Sequence, residues 1–93
     1  MQQIKKWHLK FNKSVKKDIK KLDDQARKKI LDFLYNRITP LEYPESFGKE
    51  LSGNWKGYWR YRVGKYRIIC DIKGEVLTIM VIKIGKRDQV YKD

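Results

Sequence analysis

An α+β fold, in which a helical hairpin packs on one face of a small twisted antiparallel sheet, is predicted by three observations. Apolar and polar residues alternate near the start of the chain, apolar residues recur at helical spacing between Asn12 and Pro40, and alternation returns after Trp55. Turn-forming residues separate these stretches, with both prolines gathered beside Gly48 and Gly53 ahead of the second alternating region. A helix pair followed by a run of strands gives the order β-α-α-β-β-β and a sheet with one covered face.

The first strand is predicted from Trp7, Leu9 and Phe11, which alternate with His8 and Lys10. His8 is read as an ordinary strand residue. Asn12 is a good N-cap for a helix that carries Val15, Ile19 and Leu22 on one side and Lys16, Lys17, Lys20 and Lys21 on the other. Asp23 and Asp24 mark a short turn and cap a second helix, whose apolar stripe is Ala26, Ile30, Phe33, Leu34 and Ile38 before Pro40 ends it. So short a connection makes the two helices an antiparallel hairpin. Residues 40–54 are expected to form an irregular surface loop. Three strands follow over residues 57–63, 65–73 and 76–84, with tight turns at Gly64 and at Lys73-Gly74, and together they make an antiparallel meander.

With 93 residues and no repeat, low-complexity tract or linker, one domain spanning residues 1–93 is the expected organisation. The 41% hydrophobic content, with three Trp and six Tyr, supplies a core despite the 37% charged fraction. Lys and Arg number 23 against 11 Asp and Glu, a net charge of +12 that favours a polyanion: nucleic acid, an anionic membrane surface or an acidic protein. Cys70 is the only cysteine, which excludes an internal disulfide and a multi-cysteine zinc site, and its apolar neighbours imply a buried thiol. The start of the chain lacks the apolar core of a signal peptide, and no stretch approaches the roughly eighteen apolar residues of a membrane span. A soluble cytoplasmic protein without a membrane partner is expected.

Candidate binding residues emerge from strand alternation. Tyr58, Arg60 and Arg62 project to one side of their strand, Trp59, Tyr61 and Val63 to the other, and hairpin pairing around Gly64 brings Arg67 close to the arginine row. Lys86 and Arg87 leave the end of the last strand, with Tyr91 returning a few residues later. Like charges on one face ask for an anion, and the planar guanidinium fork suits the non-bridging oxygens of a phosphate. Aromatic side chains beside cations are a platform for unstacked RNA bases. Trp59 and Tyr61 are read as core residues. The same pattern suits a solvated cationic face above a core, and residue types alone leave both open.

The segment Leu51-x-Gly53, then Gly57-Tyr58-Trp59-Arg60-Tyr61-Arg62-Val63-Gly64-Lys65-Tyr66-Arg67-Ile68-Ile69, with Gly85-Lys86-Arg87 and Val90-Tyr91, resembles the RelE/ParE toxin superfamily. The likeness covers nearly the whole chain and implies a RelE-like, microbial-ribonuclease-like fold. It further implies a type II toxin: a ribosome-dependent endoribonuclease that cuts mRNA through 2′-hydroxyl attack on the scissile phosphate, without metal or cofactor. By the resemblance Arg60, Arg67, Lys86, Arg87 and Tyr91 carry catalysis. Tyr58 or Trp59 stands where the bacterial prototype has a second lysine, so Lys56 or Lys65 serves instead, and Lys56, Tyr58, Arg62 and Lys65 are the expected RNA contacts. Lys86 occupies a place where many relatives have histidine, which argues against histidine-based proton transfer. The implied partners are an acidic RelB-like antitoxin, mRNA in the ribosomal A site and ribosomal RNA. Two other readings stand beside it: a ParE-like inhibitor of DNA gyrase that cuts nothing, and a noncatalytic RNA-binding module.

Overall fold

In the computed structural model, which describes residues 6–91, the first alternating stretch forms strand β1, His8–Phe11. Asn12 stops it and starts helix α1, Lys13–Lys21, by accepting the Val15 backbone N–H on its side-chain oxygen at 2.9 Å. Lys20 and Lys21 fall in the last turn, where cations suit the helix dipole. Asp23 repeats the device for helix α2, Asp24–Asp32, accepting from Ala26 N–H at 2.7 Å. Arg27 then ties the pair together by donating to the carbonyls of Leu22 at 2.7 Å and Ile19 at 3.1 Å. The turn is held by satisfied helix-end carbonyls.

Helix α2 runs on without a break into a wider π-helical segment, Phe33–Ile38, which the sequence does not announce. Its last bond, Thr39 N–H to the Leu34 carbonyl at 3.0 Å, spans five residues, and Pro40 follows. The expected irregular loop contains a tight turn, Pro44–Phe47, and a two-residue edge strand β2, Lys49–Glu50. That strand is too short and too charged to leave a periodic signal.

Strands β3, Trp59–Val63, β4, Tyr66–Lys73, and β5, Thr78–Lys86, form the expected meander. The sheet order is β1-β5-β4-β3-β2. It is mixed rather than antiparallel throughout, because β1 joins β5 in parallel. No hairpin links those two strands, so turn geometry imposes no antiparallel sense on them.

A single irregularity decides which side chains of β5 share a face. Ile69 pairs with Lys83 while Cys70 pairs with Val81, leaving Ile82 as an extra residue in β5. This bulge reverses the alternation, so that Val81 and Ile84 both face the helices while Lys83 faces away. The Asn12 side-chain amide donates to the Ile82 carbonyl at 3.1 Å, so the residue that caps α1 also satisfies the bulge.

The main core lies between the helices and one sheet face, with Val15, Ile30, Leu34 and Ile38 packed against Tyr61, Ile68, Cys70, Ile79 and Val81. Cys70 is fully buried, as expected, and burial, with Asp71 adding to it, pushes its thiol above the usual range. Tyr61 is 1% exposed, and its hydroxyl donates to the Pro44 carbonyl at 2.7 Å, fastening the long loop to the sheet. Burial first, then Cys70 and Glu45, drives this phenol well above its ordinary range, so it remains a donor. Tyr61→Phe therefore destabilises the chain by about 1–2 kcal/mol, since a buried acceptor is left unmade. Urea unfolding of the two proteins reads the difference; equal midpoints would show that the bond contributes nothing.

Candidate functional site

The sheet face turned away from the helices carries the cationic residues. Arg62 lies directly opposite Arg67 in the β3–β4 ladder, and Arg60 opposite Ile69, so all three arginines share this face. Across from Arg67 on β5 stands Gly85. A Cβ there would lie 3.3 Å from the Cα of Val90 and 3.4 Å from its Cβ, so the missing side chain lets the tail fold back onto the sheet. Val90 is buried by this contact. The return is a tight turn in which Gln89 and Val90 N–H both donate to the Lys86 carbonyl at 2.9 Å, while Arg87 N–H donates to the Lys65 carbonyl at 3.1 Å. Tyr91 thereby comes back over β3, where Arg60 Nη1 donates to its hydroxyl at 3.5 Å.

The Arg67 guanidinium feels the other three. Arg67, 9% exposed, has its pKa lowered by burial first and then by the charges of Arg62, Arg60 and Arg87, with Tyr91 acting in the opposite direction. Its Nη1 donates to the carbonyls of Gly64 and Tyr66 at 3.1 and 3.0 Å, which neutralises no charge. The ion pairs among the described residues, Arg27–Asp24 and Lys73–Asp71, include no member of the group. The Nε of Arg60 is buried without a hydrogen-bond partner. Unopposed like charges and an orphaned charged donor both cost stability in the free protein, and an anion with several oxygens relieves both.

Beside the arginines lies an aromatic group whose centre, Trp55, the sequence pattern does not reveal. Residues 52–58 form a short turn, with Trp55 N–H donating to the Ser52 carbonyl at 3.2 Å and Tyr58 N–H to the Trp55 carbonyl at 3.1 Å. Gly57 makes this possible at φ 96°, a backbone conformation other residues adopt only with strain. Trp55 meets Tyr58 and Tyr91 edge to face at 6.1 and 6.3 Å between ring centroids. The ammonium of Lys83 lies 5.3 Å from its ring centroid, a cation–π contact that exists because the bulge turns Lys83 to this face.

Of the residues singled out from the sequence, Arg60, Arg62, Arg67, Arg87, Tyr91 and Tyr58 come together here. Lys86, the last residue of β5, pairs with Tyr66 and so points to the helix-bearing face. Lys65 leans over the Tyr66 ring, 5.8 Å from its centroid, and borders a hollow lined also by Asp23 and Lys29. Lys56 ends the Trp55 turn and is exposed. Trp55 and Lys83 were not singled out. An aromatic flanked by glycines in a loop was the available signal for Trp55, and a one-residue bulge leaves none for Lys83. Among the described residues no helix is long and apolar enough to cross a membrane, and no group of three or more His, Cys, Asp or Glu is placed to hold a metal ion.

The family model of the ParE toxin of type II toxin-antitoxin systems, parDE, matches residues 9–91. Toxin RelG of Mycobacterium tuberculosis is 22% identical over 86 residues, covering 90% of this chain and 94% of its own length. Among solved structures, a chain of the toxin-antitoxin complex RelBE2 from Mycobacterium tuberculosis superposes with a TM-score of 0.81 at 21% identity, over 94% of this chain and 98% of that one. A chain of the RelB-RelE antitoxin-toxin complex from Methanococcus jannaschii gives 0.63 at 27% identity, over 89% and 95%. The isolated E. coli RelE toxin gives 0.61 at 21% identity, over 91% and 88%.

Proposed function

The chain belongs to the ParE toxin family of type II toxin-antitoxin systems, and from that premise we propose that it is a ribonuclease of the RelE type, cutting mRNA in the ribosomal A site. The observation that carries this reading is the meeting of Arg60, Arg62, Arg67 and Arg87 beside the Tyr91 hydroxyl, with no carboxylate among the described residues paired to any of them. A scissile phosphate is the anion that such a group fits. The 2′-oxygen of the preceding ribose gives up its proton and attacks phosphorus, the bond to the 5′-oxygen breaks as that oxygen takes a proton from water, and the products are a 2′,3′-cyclic phosphate and a free 5′-hydroxyl. Extra negative charge on the non-bridging oxygens in the transition state falls to Arg60, Arg67 and Arg87, and such fixed charge stabilisation usually dominates in sites of this sort. Tyr91 takes the role of proton acceptor in preference to Lys86, whose side chain lies on the other face. The ribosome contributes by orienting the message.

The partners in this reading are mRNA, ribosomal RNA and an acidic RelB-like antitoxin in the cytoplasm. Support for the antitoxin comes from the net charge of +12 and from the relatives solved as complexes with RelB. A second reading, inhibition of DNA gyrase, is favoured by the family's ParE model. Expression from an inducible promoter, followed by mapping of message ends, separates them. Codon-phased 5′-hydroxyl ends within minutes are the expected result; gyrase-linked double-strand breaks with intact messages would overturn it.

A further inference from the structure

The arginine group accounts for a phosphate but not for the aromatic hollow beside it. Asn54, Trp55, Tyr58 and Tyr91 line a recess of about 220 Å³, which has room for one flat ring system. Its walls are π-faces and ring edges held around Trp55. Tyr91 belongs both to this recess and to the arginine group, through its hydroxyl contact with Arg60. A group bound in the recess therefore sits beside whatever anion the arginines hold. In RNA that group is a base.

We propose that the recess holds the base of a nucleotide flanking the arginine-bound phosphate, with Trp55 as the stacking platform and the Asn54 side-chain amide reading the base edge. This rests on the ribonuclease reading for the identity of the anion. An aromatic ring accepts any base, because every base has a π-face. An amide does not, since its donor and acceptor are fixed side by side and match only some base edges. Asn54 is exposed at the mouth of the recess, in the turn that Gly57 fixes, and so is placed to discriminate.

The test uses the purified full chain and RNA hexamers of each single base, 2′-O-methylated throughout so that no attacking hydroxyl is present. Binding is read by fluorescence polarisation at two salt concentrations. Trp55→Ala is expected to weaken binding of all hexamers by roughly 5- to 100-fold, the worth of one stacked base, with the salt dependence unchanged because phosphate contacts remain. Trp55→Phe should retain most of the affinity. Asn54→Ala should narrow the spread of affinities between the hexamers. Hexamer binding by a folded Trp55→Ala protein equal to that of the wild type, or an unaltered spread in Asn54→Ala, would overturn the assignment. If Trp55→Ala does not fold, the Phe and Asn54 variants decide alone. Since the hexamers cannot be cut, Trp55-dependent binding by a chain that cleaves no message would keep the base site and remove the ribonuclease reading, whereas Trp55-independent binding by a chain that cleaves would do the reverse.

Discussion

On the proposed ribonuclease reading, Arg87→Ala is expected to lower message cleavage by about 10²- to 10³-fold, the effect of removing one donor from a site that stabilises developing negative charge, and to leave the fold intact. The substitution is a clean one. The Arg87 side chain is exposed, and the residue is held to the sheet by its backbone N–H, which donates to the Lys65 carbonyl and which alanine keeps. Arg67→Ala should have a comparable effect on cleavage but a less simple one on stability. It removes two side-chain bonds to the Gly64 and Tyr66 carbonyls, yet also relieves repulsion from Arg60, Arg62 and Arg87. Primer extension on a reporter message after induction measures the first quantity, and thermal unfolding of the purified variants measures the second. Undiminished growth arrest and cleavage by Arg87→Ala would remove this residue from the mechanism.

Affinity for single-stranded RNA is expected to fall steeply with salt. If the cationic surface as a whole neutralises about four phosphates, the scissile one among them, log affinity changes with log salt at a slope near −3, and raising salt fourfold weakens binding roughly fifty-fold. Arg62→Ala should lower the slope's magnitude by about 0.7, one phosphate contact. Arg62 suits this measurement because it is exposed and pairs across the ladder with Arg67, so its loss empties one position of the face without touching the main core. Titrations over a range of potassium chloride concentrations supply the slopes. A binding constant indifferent to salt would mean that the cationic face does not contact the RNA backbone.

Arg62 and Arg67 are residues that strand alternation alone brings to notice, and the reason is local. Within β3 the pattern is regular, so placing Tyr61 in the core also places Arg60 and Arg62 outside it, and the hairpin at Gly64 brings Arg67 opposite. The capping roles of Asn12 and Asp23 are legible for the same reason, since a cap acts over three residues. Features that escape depend on contacts between distant segments. The parallel pairing of β1 with β5 has no turn to announce it, and β2 is a strand only because β3 lies beside it. The bulge at Ile82 sends Lys83 towards Trp55 and, by restoring Ile84 to the core, commits Lys86 to the Tyr66 side. Trp55 sits in a turn without periodicity, and its role beside Tyr58 and Tyr91 appears only when the tail folds back over Gly85.

The pairing of β1 with β5 also dictates an order of events during synthesis. While the chain is still emerging, the first strand has no neighbour to bond with until the last has cleared the exit tunnel, because His8 to Phe11 align with Thr78 to Val81 at one edge of the sheet. Until then the amphipathic helices lack half of their apolar bed. The segment that completes the sheet also brings Lys83, Arg87 and Tyr91 to the arginines of β3 and β4. A chain lacking β5 thus has neither the completed sheet nor the assembled cationic group, and both arrive with that one segment.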